Sequence, residues 1–191
     1  GNDRLNGQIG QDQVSGGAGD DVLTGGTGLD TLFGGDGDDF VEGNADADVI
    51  QGNAGRDRLF GGQGDDVIAG GRDNDVVTGG AGNDRINGDF GSDDLFGDAD
   101  PVQSPGDPTD PLTGQDVLEG GQGADFRFGG AGRDVFLFQG RTPVEGDSPL
   151  SAAYFRTAVV GGTQGGDVVA DYQVGVDVLD FFADGLSGRY V

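Results

Sequence analysis

Aspartate is the residue of this sequence best placed to do chemistry, because it recurs at a fixed spacing. Counted from Gly7, the sixth residue of every nine is Asp: Asp12, Asp21, Asp30, Asp39, Asp48, Asp57, Asp66, Asp75, Asp84 and Asp93. Asp3 belongs to the tail of one earlier copy, and Asp116, Asp125 and Asp134 resume the series after an interruption. Carboxylates held close together repel unless a cation lies between them, and their oxygens are preferred ligands of hard divalent cations. Other chemistry is limited by what the chain lacks. It has no His and no Cys, which removes Cys/His zinc sites, Ser-His-Asp triads and Cys nucleophiles. A carboxylate pair acting on a sugar stays formally open, but cation binding already accounts for the Asp residues, and the chain is read as not an enzyme.

Positioning a periodic residue takes a periodic scaffold. In the same register, position one is Gly in all ten copies from Gly7 to Gly88, and position eight is a large aliphatic residue from Val14 to Leu95. Three positions in phase over ten nonapeptides mark stacked repeats. The GGxGxD half is predicted to be turn, since Gly is costly in helix and strand and free at positive φ. Its replacements obey the same logic: Asn44, Asn53 and Asp89 at position two, Asp46 and Asp73 at position four, residue types that tolerate the left-handed region. Gln8 is the weak fit. The other half is predicted to be a very short strand whose one apolar side chain points inward. One apolar residue in nine makes a thin core, so two nonapeptides must form one coil. The predicted fold is all-β: a parallel β-roll, a right-handed β-solenoid with coils about 4.8 Å apart.

Stacking of this kind sets each Asp above the one 18 residues later, as with Asp21 and Asp39. Calcium takes six to eight oxygen ligands at flexible geometry, whereas magnesium demands a tighter octahedron and keeps its waters. The predicted ligands are the Asp carboxylates named above, with the backbone carbonyls of Gly17, Gly19, Gly26, Gly28, Gly35, Gly37, Gly62, Gly64, Gly80, Gly82, Gly121, Gly123, Gly130 and Gly132. The chain carries a net charge of −25, and about ten Ca2+ ions would offset about 20 of those charges. Without metal such a chain is expected to be expanded, so folding should be coupled to binding. The same charge repels nucleic acid. No apolar run approaches the length of a membrane span.

The motif GGxGxDxUx resembles the calcium-binding nonapeptide of the RTX (repeats-in-toxin) family, from residue 1 to about residue 137. The chain divides into a roll at 1–97, a Pro- and Asp-rich loop at 98–113, resumed repeats at 114–140 and a β-rich cap at 141–191. Arg127 stands at position eight of the resumed repeats, where it would point into the core. Either that coil is shifted or the Arg meets a carboxylate. A short helix is expected around Ser151 to Thr157. An open solenoid end needs a cap, and the stretch GDVVADYQVGVDVLDFF (166–182) resembles the end of the repeat domains of serralysin-type secreted proteases. That resemblance implies Asp167 and Asp177 as calcium ligands, with Asp171 and Asp180 as weaker candidates. It also implies a monomeric module of a larger protein from a Gram-negative bacterium. The module would be exported by type I secretion machinery and would fold in extracellular calcium or at the cell surface. Having no initiator Met and starting in mid-repeat, the sequence is expected to be part of such a protein. The alternative is the rigid rod of a cell-surface adhesin or surface-layer protein.

Overall fold

The computed structural model describes residues 1–98, 115–122, 125–130 and 134–137 in full, together with the backbone of five strand segments at 138–139, 158–162, 165–169, 178–183 and 186–190. Ten six-residue strands come first: β1 (Arg4–Ile9), β2 (Gln13–Ala18), β3 (Val22–Thr27), β4 (Thr31–Asp36), β5 (Phe40–Ala45), β6 (Val49–Ala54), β7 (Arg58–Gln63), β8 (Val67–Arg72), β9 (Val76–Ala81) and β10 (Arg85–Phe90). Then come β11 (Asp94–Phe96), β12 (Val117–Glu119), β13 (Phe126–Phe128), β14 (Val135–Gln139), β15 (Ala158–Gly162), β16 (Gly165–Val169), β17 (Val178–Ala183) and β18 (Leu186–Tyr190). The expected helix at 151–157 lies outside the described residues.

Consecutive strands never share a sheet within the repeats. The strands β1, β3, β5, β7, β9, β11, β13 and β16 form one sheet, and β2, β4, β6, β8, β10, β12, β14 and β17 form the other. Each strand pairs in parallel with the strand one coil away, as Val22 with Arg4 and with Phe40. The chain is thus a parallel β-solenoid with two nonapeptides per coil. At the end of the stack β15 joins β16, and β18 joins β17, by antiparallel pairing.

The strands are longer than the sequence pattern suggests. Each six-residue strand runs from position seven through position three of the next repeat, so two of the motif's glycines lie in strand and only positions four to six turn. The physical reason is the stack. Gly26 pairs with Gln8 below and Asn44 above, and such a ladder offsets the intrinsic weakness of Gly in a strand.

The core is a double file of position-eight side chains. Leu23, Val41, Leu59, Val77 and Leu95 come from one sheet, and Leu32, Ile50, Ile68, Ile86, Leu118 and Phe136 from the other, all with at most 1% of their surface exposed. Burying such a side chain stabilises by roughly 1.5–3 kcal/mol, which with one residue per nonapeptide leaves little margin over chain entropy. Arg127 occupies the same file without any shift of register, paired with Leu95 below, and its Nη2 lies 3.6 Å from Oδ2 of Asp125, so the carboxylate contact is the alternative realised.

The Pro- and Asp-rich loop expected at 98–113 lies, after Asp98, outside the described residues, and the order is intact on either side of it. Pairing runs at a separation of 18 residues up to Asp66 and Asp84, then jumps to 32 between Asp84 and Asp116. Gly97 and Asp98 still donate to Phe128 and Gly129 of the next coil, and Asp116 keeps its normal place in the ladder.

Candidate metal-binding turns

Each turn is built around the carboxylate of position six, which points into the coil. Asp21, Asp30, Asp39, Asp48, Asp57, Asp66, Asp75, Asp84, Asp93, Asp116, Asp125 and Asp134 are all at least 98% buried, while Asp12 is half-buried and Asp3 exposed in the first coil. One oxygen of each carboxylate has a fixed task. Oδ1 accepts the backbone N–H of the Asp one coil earlier, as Asp57 does from Asp39 at 2.8 Å and Asp75 from Asp57 at 2.8 Å. The series starts at Asp3, whose N–H reaches Asp21 at 2.6 Å, and ends with Asp116 donating to Asp134 at 3.1 Å.

The second oxygen is different. In Asp12, Asp21, Asp30, Asp39, Asp48, Asp57, Asp66, Asp75, Asp84, Asp93 and Asp116, Oδ2 is buried and meets no hydrogen-bond donor. A buried carboxylate oxygen without a partner costs several kcal/mol, and its recurrence coil after coil demands one repeated explanation. The glycines of position one are shaped to it. A methyl group on Gly34 would collide with Oδ2 of Asp39 and with the carbonyl oxygen of Gly52 one coil up.

Positions two and four hold the chain at positive φ, and the six non-glycines found there confirm the requirement. Gln8, Asn44, Asn53 and Asp89 at position two lie at φ 81, 82, 80 and 69°, and Asp46 and Asp73 at position four at 73 and 71°. Gln8, a poor match by residue type, takes the same conformation. These turns also leave carbonyls available. Among the described residues no backbone N–H donates to the carbonyl of Gly19, Gly28, Gly37, Gly64 or Gly82, all at position four. At position two the carbonyl is used in the ladder, as that of Asp89 is by the N–H of Gln122 at 2.7 Å. Gly17, Gly26, Gly35, Gly62 and Gly80 pair in that same strand register, and Gly121 and Gly130 hold position two of the resumed repeats.

Without a cation, burial pushes the Asp48 and Asp84 carboxyls up to about 6, those of Asp57, Asp66 and Asp93 to about 7, and those of Asp75 and Asp116 to about 8. The N–H from the preceding coil opposes the rise, and nearby carboxylates add to it. Carboxyls raised in this way by burial are carboxyls short of a counter-charge.

Position five carries a second ladder that the sequence reading overlooked. The side-chain oxygens of Asn2, Asp20 and Asp38 accept the N–H of Asp20, Asp38 and Arg56 one coil later, at 3.2, 3.2 and 2.9 Å. Asp65 and Asn74 do the same for Asn83 and Ser92. The two ladders run in opposite directions, position five donating toward the start of the chain and position six toward its end. The recurrence of Asp and Asn at position five was the available signal.

No three metal-ligating side chains converge among the described residues, so any ion held here must take part of its shell from backbone carbonyls or water. A comparison with protein-family models supplies the family. The model of the RTX calcium-binding nonapeptide repeat matches residues 1–32, 15–50, 33–68, 42–77, 69–100 and 112–136. This chain belongs to the RTX calcium-binding repeat family. No curated protein matches it.

The RTX turns fit calcium on their own chemistry. They offer hard anionic oxygen, neutral carbonyl oxygen, no nitrogen and no sulfur, which excludes soft-metal sites and suits calcium. Of the remaining candidates, Gly123, Gly132, Asp171 and Asp177 lie outside the described residues, and Asp167 and Asp180 lie in strands β16 and β17, described by backbone alone.

Proposed function

We propose that this RTX roll is a calcium-triggered folding module of a larger secreted protein, unfolded where calcium is scarce and folded outside the cell. The observation that carries this reading is the file of buried Oδ2 oxygens that meet no donor, in turns whose position-four carbonyls accept no backbone N–H. In this reading Asp21 through Asp93, Asp116, Asp125 and Asp134 each give Oδ2 to an ion, and the position-four carbonyls complete the shell. The position-two glycines serve through their second lone pair, and Asp3 and Asp12 hold weaker sites in the exposed first coil. Asp167 and Asp177 would serve the capping segment. The count is about ten ions.

The thermodynamics favour a switch. The metal-linked fold has a thin core and a self-repelling charge, so most of its stability must come from binding. Extracellular calcium-binding modules have affinities of about 10⁻⁴–10⁻³ M, well above cytosolic calcium levels. The chain would pass through a type I exporter as an unfolded thread of a Gram-negative bacterium, and folding at the exit would oppose its return. Replacing Asp39, Asp57 and Asp75 together by Asn in the parent protein tests this. Secreted protein should fall severalfold at constant synthesis, and bound calcium measured by equilibrium dialysis should drop. Unchanged export with reduced calcium binding would leave a calcium-stiffened surface rod as the better reading.

A further inference from the structure

Among the described residues, position two of the repeat holds positive φ with one exception. Gln8, Asn44, Asn53 and Asp89 do so as non-glycines, and the position-two glycines from Gly17 to Gly130 do the same. Asp98 is not among them. Its burial differs as well. Asn44 and Asn53 are exposed and Asp89 is half-buried, with Oδ1 of Asp89 accepting from Nδ2 of Asn87 at 2.6 Å, whereas Asp98 is 2% exposed. The Asp98 carboxylate lies inside the stack against Gly130, one coil up, where an added methyl group would collide with it.

Asp98 also stands where the count breaks. The separation of stacked aspartates rises from 18 to 32 between Asp84 and Asp116, a difference of 14 residues. Taking residues 99–112 out of the sequence leaves Gly97, Asp98, Thr113, Gly114, Gln115, Asp116, Val117, Leu118 and Glu119, a full copy of the nonapeptide. Asp98 and Asp116 are therefore positions two and six of one interrupted repeat. Both keep their places in the stack: the N–H of Asp98 donates to the carbonyl of Gly129 at 3.2 Å, and that of Asp116 to Oδ1 of Asp134 at 3.1 Å. Oδ2 of Asp116 is buried, meets no donor and lies against Gly97, the chain neighbour of Asp98, where a methyl group would meet it and the Gly129 carbonyl. Burial first, then the carboxylates around it, Asp98 among them, push the Asp116 carboxyl up to about 8.

We propose that Asp98 is a calcium ligand of the interrupted turn, so that one ion held by Asp98 and Asp116 ties together the two ends of the insertion. The proposal rests on the calcium reading of the turns. In an uninterrupted turn the candidate oxygens come from consecutive residues, whose covalent spacing brings them together. Here the inserted residues lengthen the path between position two and position six, so the ion itself must hold the ends. A carboxylate at position two brings charge as well as an oxygen, and calcium accepts such mixed sets of carboxylates, carbonyls and water at flexible geometry. A metal clip stabilises the more, the longer the loop it closes. Loss of positive φ at Asp98 fits this task, since its side chain is turned into the stack where Asn44 and Asn53 present theirs to solvent.

The test uses the full chain, with bound calcium counted by equilibrium dialysis and folding followed by far-UV circular dichroism. Asp98→Asn keeps the size and one oxygen but removes the charge, and Asp98→Gly restores the commonest residue of position two. Each should bind one ion fewer at the calcium concentration that just saturates the parent. Each should also fold at a calcium midpoint raised roughly 1.5-fold, one ion being lost from about ten. Asp89→Asn, at position two of the preceding repeat, should match the parent in both. In a chain lacking residues 99–112 the turn is continuous, and Asp98→Asn should then cost no ion. An unchanged ion count in both Asp98 variants, or the same loss in the shortened chain, overturns the proposal and leaves the calcium reading of the other turns standing. A parent that binds no calcium would instead overturn that reading, and this proposal with it.

Discussion

From Asp21 to Asp116 the two oxygens of each column Asp differ. Oδ1 is a hydrogen-bond acceptor that joins coil to coil, and Oδ2 is buried without a donor, the oxygen that the proposed function gives to metal. Asn is the substitution that separates them. Asp57→Asn keeps an oxygen for the Asp39 N–H and puts an amide where Oδ2 faced no donor. It should fold at a calcium midpoint about twofold higher and bind one or two fewer ions, read by equilibrium dialysis. Glycine at position one is dictated by that carboxylate rather than by backbone freedom. Gly34→Ala should lower stability in saturating calcium by about 1–3 kcal/mol through overpacking, measured by thermal melting. At position two the reason is φ: Asn53, at 80°, should tolerate Gly and lose about 1–2 kcal/mol on replacement by Val.

At the scale of the strand and turn, the period was legible and the boundaries were not. The ninefold spacing located the inward file from Leu23 to Leu118 and the turn aspartates, because a periodic pattern reports which side of the chain faces in. It assigned positions one to three to turn, because glycine is a poor strand former in isolation, whereas pairing with coils on both sides carries Gly25 and Gly26 in β3. The position-five ladder escaped notice since its residues vary among Asp, Asn, Arg and Ser. Arg127 could be flagged as misplaced, but only the fold brings its guanidinium to Asp125. The turns also set a pH dependence. Acids that sit near 3.8 in the unfolded chain and at about 6 to 8 in the fold take up protons on folding. Their contribution in the absence of calcium is therefore present at about pH 4 and lost as pH rises through 6 to 8. Chelator-treated protein should show β structure near pH 4 and lose it toward pH 8 by far-UV circular dichroism. A rise in β content over that range would contradict the assignment of buried, uncompensated carboxylates.

For the molecule as a whole, charge and shape say the same thing. A net charge of −25 on a stack whose core is one residue wide per sheet leaves folding dependent on counter-ions placed inside the turns, where mobile salt screens poorly. Two parallel sheets with the position-six carboxylates from Asp21 to Asp134 buried between them make assembly and ion loading one reaction if the proposed function holds. Fragments of the roll should therefore fold cooperatively, with neighbouring coils supporting one another. Far-UV circular dichroism of the chelator-stripped chain at pH 7.5, titrated with calcium and separately with magnesium, reads that reaction out. A cooperative coil-to-β transition at sub-millimolar to millimolar calcium, with no transition in magnesium, is the result expected here. A chain already fully β-structured in chelator at that pH, and indifferent to calcium, would contradict it.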